Sequence, residues 1–346
     1  MVERVISNNG VKPSGVQVET LLVAEDLQKT YPDGGRAALR RLSFTLQAGR
    51  VMGFLGPNGA GKTTAIRILT TMLEPSAGRF FVDGISSQYP EKIRRVIGVL
   101  PEGLGFPKRI TGTDYLAYFG QLYGRSGKDA KAASQALLQD VGMQHRGDSP
   151  IGTYSHGMRQ RLGIARALVN DPKVVFLDEP TLGLDPRGQQ ELLALIQRVA
   201  RERNTGVILS SHLLSEIEGI CDDVVIMNAG QVVATGTVSE VIGKSQLTAT
   251  QRNIIRIRVA SPAFAHAQQI LEALPIVKQV TPTDETGGWL IVELVHQSDE
   301  STTKEEIDKN SILEALIHAN ISVRGFEVAG GRLQDVFMQL TAEAIQ

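Results

Sequence analysis

Apolar positions follow two different spacings in the first two thirds of the chain, and together they predict an α/β fold. The residues Ile66, Leu69 and Leu73 recur at the spacing of one helix face. Three later apolar runs are nearly continuous, as in strands of a parallel sheet that is covered on both faces: Val174–Asp178, Gly206–Ser211 and Val224–Asn228. A helix over about 187–203 supplies the crossover between the first two runs, and residues from about 112 to 170 are predicted to be mostly helical.

The pattern changes after about Gly243. Short alternating runs and helical runs then follow one another in the order strand, helix, strand, strand, helix, strand, which is the order of a ferredoxin-like domain. A polar loop at 296–309 separates the third strand from the second helix, and a last helix is predicted over 333–341.

Composition narrows the possible partners. The chain of 346 residues carries 36 basic and 37 acidic residues, so its net charge of −1 argues against a general nucleic-acid-binding surface. The single cysteine, Cys221, cannot form an internal disulfide. No apolar run reaches the roughly 18 residues of a membrane span, and residues 1–15 lack the apolar centre of a signal peptide. We therefore expect a cytosolic protein without direct membrane insertion.

A phosphate-binding loop is predicted at Gly56–Thr64. The run "GPNGAGKTT" has the spacing G-x-x-x-x-G-K-[ST], and it lies between a predicted strand and a predicted helix. Backbone N–H groups of such a loop surround a phosphate, and the helix N-terminus adds positive potential. Lys62 is expected to reach the β- and γ-phosphates of a nucleotide, and Thr63 to ligate Mg²⁺.

Two carboxylates and a histidine are predicted to complete the first site. Asp178 and Glu179 follow the apolar strand of "VVFLDEP", where the first can hold the Mg²⁺ shell and the second can deprotonate a water. His212 comes just after another strand, at "LSSH", and can donate to a γ-phosphate or to the attacking water. The alternatives are a structural carboxylate pair and a surface or core histidine without a catalytic role.

A second anion site is predicted at "YSHGMRQRL". Ser155 offers a hydroxyl and Gly157 an unhindered N–H at the start of a predicted helix. The alternative is an ordinary serine N-cap. Since one nucleotide cannot readily touch both sites within one compact chain, two chains that face each other head to tail would join the two half-sites around two ATP molecules.

These motifs together resemble the nucleotide-binding subunit of an ABC transporter over about 21–243. The later runs "LSSHLLSEIEGICDDVVIMNAGQVVATGT" and "LQDVFMQLT" resemble the ATPases of two-component exporters, in particular the daunorubicin-resistance group. The resemblance implies a P-loop NTPase core at 20–243 with a helical subdomain at about 112–170. It is preceded by a flexible tail at 1–19 and followed by an accessory or dimerisation domain at 244–346.

The resemblance also assigns roles to individual residues. Tyr31 would stack on adenine, Asp185 would lie at the dimer seam, and Glu102 would contact Mg²⁺ or water. Asp185 could alternatively cap a helix, and Tyr31 could be a surface aromatic. The phosphate loop would consist of Gly56, Asn58, Gly59, Gly61, Lys62, Thr63 and Thr64.

Two positions depart from the family pattern. Glu102 stands where most members have Gln, and an ionised carboxylate cannot donate a hydrogen bond. The usual Leu-Ser-Gly-Gly-Gln appears as Tyr154–Met158, so His156 and Met158 change the surroundings of Ser155 and Gly157.

The predicted function is an ATP-hydrolysing, Mg²⁺-dependent subunit that drives a separate transmembrane permease from the cytoplasmic face of the membrane. A homodimer is favoured, because both half-sites are complete in one chain. The alternatives are an ABC ATPase that acts on a soluble machine and an ATP-binding regulator that does not hydrolyse. The C-terminal region is expected to be a dimerisation surface or a small-molecule sensor.

Overall fold

A computed structural model of the chain describes residues 19–32, 37–103, 105–244, 254–260, 263–282, 289–295, 310–328, 333 and 336–337. They form two compact units, one from the described residues of 1–52 and 61–210, the other from those of 53–60 and 211–346. The predicted tail, the polar loop at 296–309 and most of the last predicted helix lie outside the described residues. The domain limits at 20 and 243 stay predictions.

The secondary-structure elements are as follows, in chain order: β1 (Thr20–Thr30), β2 (Ala37–Gln47), β3 (Val51–Leu55), α1 (Lys62–Leu69), β4 (Ala77–Val82), β5 (Ile85–Ser86), α2 (Pro90–Val96), β6 (Ile97–Leu100), α3 (Gly112–Leu122), α4 (Gly127–Asp140), α5 (His156–Ala167), β7 (Val174–Asp178), α6 (Pro186–Arg203), β8 (Gly206–Ser211), α7 (Leu214–Ile220), β9 (Asp223–Asn228), β10 (Gln231–Thr237), α8 (Val238–Lys244), β11 (Ile254–Val259), α9 (Phe264–Glu272), β12 (Val277–Pro282), β13 (Trp289–Leu294), α10 (Asn310–His318) and β14 (Val323–Val328).

The parallel part of the first unit carries the predicted catalytic strand. β7 lies between β6 and β8, with Val174 opposite both Ile97 and Gly206. Every residue of β7 and β8 is buried, as predicted for strands covered on both faces. The register places Asp178 opposite Ser210 at the carboxyl ends of these strands, and this edge is where parallel α/β sheets bind ligands.

A group of antiparallel strands in the same unit was not predicted. Its strands follow the order β5-β4-β1-β2, and Leu22 of β1 pairs with Leu46 on one side and Val82 on the other. The alternation along β1 is hidden because the register shifts between Ala24 and Leu27, where Asp26 adopts a φ of 49°. α1 also ends earlier than predicted, at Leu69, since Thr71 adopts a φ of 61°.

The predicted helical region is confirmed as α3, α4 and α5 with two 3₁₀ turns, Gln144–Arg146 and Ile151–Thr153. α3 begins at a Thr111 cap that accepts a hydrogen bond from the Asp114 N–H. The loop before α3 is tied to the second turn, because the Ile151 N–H donates to the Ile110 carbonyl.

The C-terminal part of the second unit confirms the predicted strand and helix order. β11, α9, β12, β13, α10 and β14 form a four-stranded sheet in the order β12-β13-β11-β14 with two helices. All its strand pairs are antiparallel. The alternating residues Ile255, Ile257 and Val259 of β11 are buried with Leu271 of α9 and Leu316 of α10.

Candidate functional site

The phosphate loop follows the buried strand β3 directly and ends where α1 begins. Gly59 and Gly61 adopt φ values of 84° and 106°, and Gly61 is the N-cap of α1. A Cβ at Gly56 would overlap the Met227 carbonyl oxygen, so that position requires glycine. A Cβ at Gly59 would meet nothing within 4 Å, which leaves the loop backbone open to a phosphate. Thr63 and Thr64 lie in the first turn of α1, as predicted.

Lys62 is buried, with 6% of its surface exposed. Burial lowers the pKa of its ammonium group, and the negative charges of Glu179 and Asp178 oppose that shift. The structure therefore brings Lys62 into the electrostatic field of both predicted catalytic carboxylates. An anionic ligand beside Lys62 would offset the cost of burying its charge.

The two carboxylates are joined by a serine that was not predicted. The Ser210 hydroxyl donates to Asp178 Oδ1 at 2.6 Å and accepts from the Glu179 N–H at 2.9 Å. Glu179 adopts a left-handed φ of 47°, although it is not glycine. The one signal in the sequence was a hydroxyl residue at the end of an otherwise apolar strand.

Glu102 lies in the same cavity as the carboxylates. This cavity of about 390 Å³ is lined by Glu102, Asp178, Glu179 and His156, among others. His156 Nε2 contacts the Leu182 carbonyl at 2.8 Å, so the residue that departs from the family pattern links the start of α5 to the loop after Glu179. The structure thus brings Glu102 and both carboxylates to one cavity within the first unit.

Ser155, Gly157 and Asp185 line a second cavity of about 370 Å³. Ser155 is the N-cap of α5 and accepts from the Met158 N–H at 3.2 Å. Asp185 caps α6 and accepts from the Gly188 N–H at 3.2 Å, which is the alternative role predicted for it. Gly157 is held close to Leu184, whose Cδ2 would lie 3.5 Å from an added Cβ. Both caps leave helix N-termini directed at one cavity.

Two predicted residues are exposed. His212 follows β8 in a turn where the Ser211 hydroxyl accepts from the Leu213 N–H and donates to Glu216. Tyr31 follows β1 directly, with 38% of its surface exposed and the Lys29 ammonium 5.7 Å from its ring centre. Their accessibility is compatible with binding a ligand, and their roles stay predictions.

Comparison with known proteins decides the family. The family model described as "ABC transporter" matches residues 39–182. The ATP-binding protein NatA of Bacillus subtilis is 38% identical over 220 residues, which cover 62% of this chain and 89% of that protein. The chain belongs to the ABC transporter family.

The similarity also extends into the C-terminal region. The daunorubicin/doxorubicin resistance ATP-binding protein DrrA of Streptomyces peucetius is 34% identical over 322 residues, which cover 91% of this chain and 90% of that protein. The solved structure of cbiO1 from Clostridium perfringens, part of the ABC transporter complex cbiONQ, aligns with a TM-score of 0.60 at 29% identity. That alignment covers 66% of this chain and 93% of that structure.

These findings confirm three predictions. The core is an ABC-type P-loop ATPase, and the enzyme activity is ATP hydrolysis. The chain is also similar in sequence to the daunorubicin-resistance group, as predicted. The chain is thus an ATP-binding subunit of transporter type. In the part of the chain that the structure describes, no helix has both the length and the apolar character needed to cross a bilayer.

Proposed function

We propose that this ATPase works as a homodimer that closes head to tail on two Mg²⁺-ATP and opens after hydrolysis. The observation that carries the proposal is the presence of both half-sites in one chain. Lys62 with the carboxylates Asp178 and Glu179 would belong to one, and the cavity lined by Ser155, Gly157 and Asp185 would form the other. In the closed dimer, the second cavity of one subunit would cover the γ-phosphate held by its partner.

The residues at the first half-site suit the chemistry of γ-phosphate release. Lys62 and the phosphate loop would bind the phosphates, while Thr63, Asp178 and Glu102 would hold Mg²⁺, which neutralises developing charge when bound. Glu179 would orient and deprotonate the attacking water, and His212 would donate to the γ-phosphate.

Tyr31 would stack on the adenine. The Lys62 ammonium and the N-terminus of α1 would supply the positive potential that such a ligand requires.

We further propose that dimer closure drives a separate transmembrane permease, with the ATPase held at the cytoplasmic face of the membrane. Two observations about relatives support this. DrrA is named for resistance to daunorubicin and doxorubicin, and cbiO1 is described as part of a transporter complex. The proposed direction of transport is therefore export. The C-terminal domain at 244–346 would add to the dimer surface.

The decisive experiment is capture of the partner from native membranes in mild detergent. The bait is the Glu179→Gln chain with Mg²⁺-ATP, which we expect to stay closed and to retain its partners. Matched controls are the same bait without nucleotide and the bait with Ser155→Arg, which should block closure at the second half-site. Stoichiometric recovery of a multi-helix membrane protein, weaker in both controls, supports the exporter motor.

Recovery of soluble partners alone would overturn the exporter proposal and favour an ATPase that acts on a soluble machine. Equal ATPase rates in the native chain and in Glu179→Gln would remove Glu179 from the role of general base. A bait that remains monomeric with Mg²⁺-ATP in size-exclusion chromatography would overturn head-to-tail closure.

A further inference from the structure

We propose that Ser210 is a positioning residue for ATP hydrolysis, because its hydroxyl fixes the backbone turn that aims Glu179 and at the same time holds Asp178. This inference rests on the proposed roles of those two carboxylates. Ser210 would join the residues that act in ATP hydrolysis, although it lies outside the phosphate loop, the carboxylate pair and the second half-site.

The contacts of Ser210 are specific and buried. Its side chain is fully buried at the end of β8, opposite Asp178 in the parallel register. One oxygen atom serves both neighbours, since it donates to Asp178 Oδ1 at 2.6 Å and accepts from the Glu179 N–H at 2.9 Å. Only 7% of Asp178 is exposed. In such a setting a lost partner is not readily replaced by water.

The conformation of Glu179 explains why the contact matters. Its φ of 47° lies in the left-handed region, which residues with a side chain adopt rarely and only where the surroundings hold them. Asp178 belongs to β7, whereas the Leu182 N–H donates to the Glu179 carbonyl in the loop that follows. The chain therefore turns sharply between the two carboxylates. The hydrogen bond from the Glu179 N–H to Ser210 lies at that turn and ties it to the neighbouring strand.

The chemistry of the hydroxyl restricts what can replace it. Serine and threonine can donate and accept through one oxygen, whereas alanine can do neither and a cysteine thiol does both weakly. Without the hydroxyl, Asp178 loses a donor and the Glu179 turn loses an acceptor. A general base that is displaced by about 1 Å can lose about 100-fold in rate, while the phosphate contacts that determine ATP binding remain.

The test measures kcat, the KM for ATP and the thermal unfolding temperature of the full chain. Ser210→Ala is expected to lower kcat by about 10- to 100-fold with the KM within about twofold. Ser210→Thr keeps the hydroxyl and should recover most of kcat. Thr205→Val is the matched control, because Thr205 is also buried, just before β8, and donates to the Pro172 carbonyl at 3.2 Å.

A positioning role predicts that the two variants differ in kcat at a similar loss of unfolding temperature. Ser210→Ala should then have a lower kcat, while Thr205→Val keeps the native kcat. If both variants lose kcat in parallel with stability, Ser210 is merely structural and the inference is wrong. The inference is also wrong if Ser210→Ala retains kcat within about twofold. Should Ser210→Ala not fold, Ser210→Cys takes its place, with an intermediate kcat expected and a native kcat overturning the proposal.

A double-mutant cycle separates this inference from the proposed function. If Ser210 acts mainly through Glu179, its removal should lower the residual single-turnover rate of Glu179→Gln by a much smaller factor than it lowers the rate of the native chain. A loss as large as that in the native background would contradict the coupling. If Glu179→Gln hydrolyses ATP like the native chain, the general-base assignment fails instead, and the kcat of Ser210→Ala still decides whether Ser210 matters.

Discussion

The phenol of Tyr154 donates a hydrogen bond to the backbone carbonyl of Arg146 at 2.6 Å. Tyr154 directly precedes Ser155, and only 3% of its surface is exposed. The start of α3 lies so close to the phenolic oxygen of Tyr154 that a Cβ added at Gly112 would be 2.5 Å from that oxygen. The residue next to the second half-site is thus anchored to both α3 and the turn Gln144–Arg146. Through this anchor, the helical region fixes the place of Ser155.

Replacing Tyr154 by Phe should destabilise the protein by about 1 kcal/mol, because it removes a part-buried hydrogen bond to the Arg146 carbonyl. Urea unfolding followed by circular dichroism measures the change in the free energy of unfolding. Tyr123→Phe is the matched control, since Tyr123 is 45% exposed and its variant should unfold like the native chain. Equal stabilities of both variants would refute the anchor.

The difference in unfolding free energy between the native chain and Tyr154→Phe should depend on pH. Burial raises the pKa of Tyr154 above its ordinary value of 10.0. The unfolded chain therefore loses the phenol proton first, and the stability that Tyr154 contributes is complete below pH 10 and falls as the pH rises beyond it. The stability difference between the native chain and Tyr154→Phe should shrink over that range. A constant difference would contradict this linkage.

Gly112→Ala should destabilise the native chain by about 1–3 kcal/mol, since the new Cβ would overlap the Tyr154 oxygen. In the Tyr154→Phe background the overlapping oxygen is absent, and the same substitution should cost much less. A double-mutant cycle in urea detects this coupling. Gly127→Ala, where an added Cβ would lie 3.7 Å from the Gln121 side chain, is the control. Strictly additive free energies would show that Gly112 and Tyr154 do not conflict.

The parallel core was predictable from the sequence because its strands are buried on both faces. The apolar runs of β7 and β8 fall at their predicted bounds, and the hydroxyl and carboxyl residues mark the strand ends. β1 was not predictable in this way, because a register shift at Asp26 interrupts its alternation. Local pattern thus identifies strands whose environment is uniform along their length.

The residues of the candidate site that stand in a local sequence motif were predictable. Lys62, Asp178, Glu179 and Ser155 stand at recognisable spacings, whereas the contacts of Ser210 with Asp178 and Glu179 join positions 32 and 31 residues apart. No local pattern encodes such a pairing, which follows from the register of β7 with β8. The role of Tyr154 was hidden for the same reason, as Gly112 lies far from it in sequence.

Glu102→Gln should raise the Mg²⁺ concentration that half-saturates the ATPase by about three- to tenfold, which corresponds to roughly 1 kcal/mol of binding free energy. The reason is that a neutral amide oxygen is a weaker Mg²⁺ ligand than a carboxylate, while the KM for ATP at saturating Mg²⁺ should stay the same. Titration of the steady-state rate with Mg²⁺ measures the shift. Glu91→Gln, at an exposed position in the first turn of α2, should leave the titration unchanged. An unaltered Mg²⁺ titration for Glu102→Gln would mean that Glu102 is not a ligand.

Lys62→Met should raise the thermal unfolding temperature of the nucleotide-free protein and abolish its stabilisation by Mg²⁺-ATP. Burial lowers the Lys62 pKa despite the nearby Glu179 and Asp178, so the folded protein holds this proton less tightly than the unfolded chain does. The charge therefore opposes folding at neutral pH, and the advantage of Met should shrink as the pH rises towards the ordinary lysine value of 10.5. Differential scanning calorimetry with and without Mg²⁺-ATP measures both effects. Lys131→Met, at an exposed position of α4, should keep the full response to nucleotide. A lower nucleotide-free unfolding temperature for Lys62→Met would contradict this prediction. It would mean that the attraction between Lys62 and the two carboxylates stabilises the fold by more than the burial of the lysine charge destabilises it.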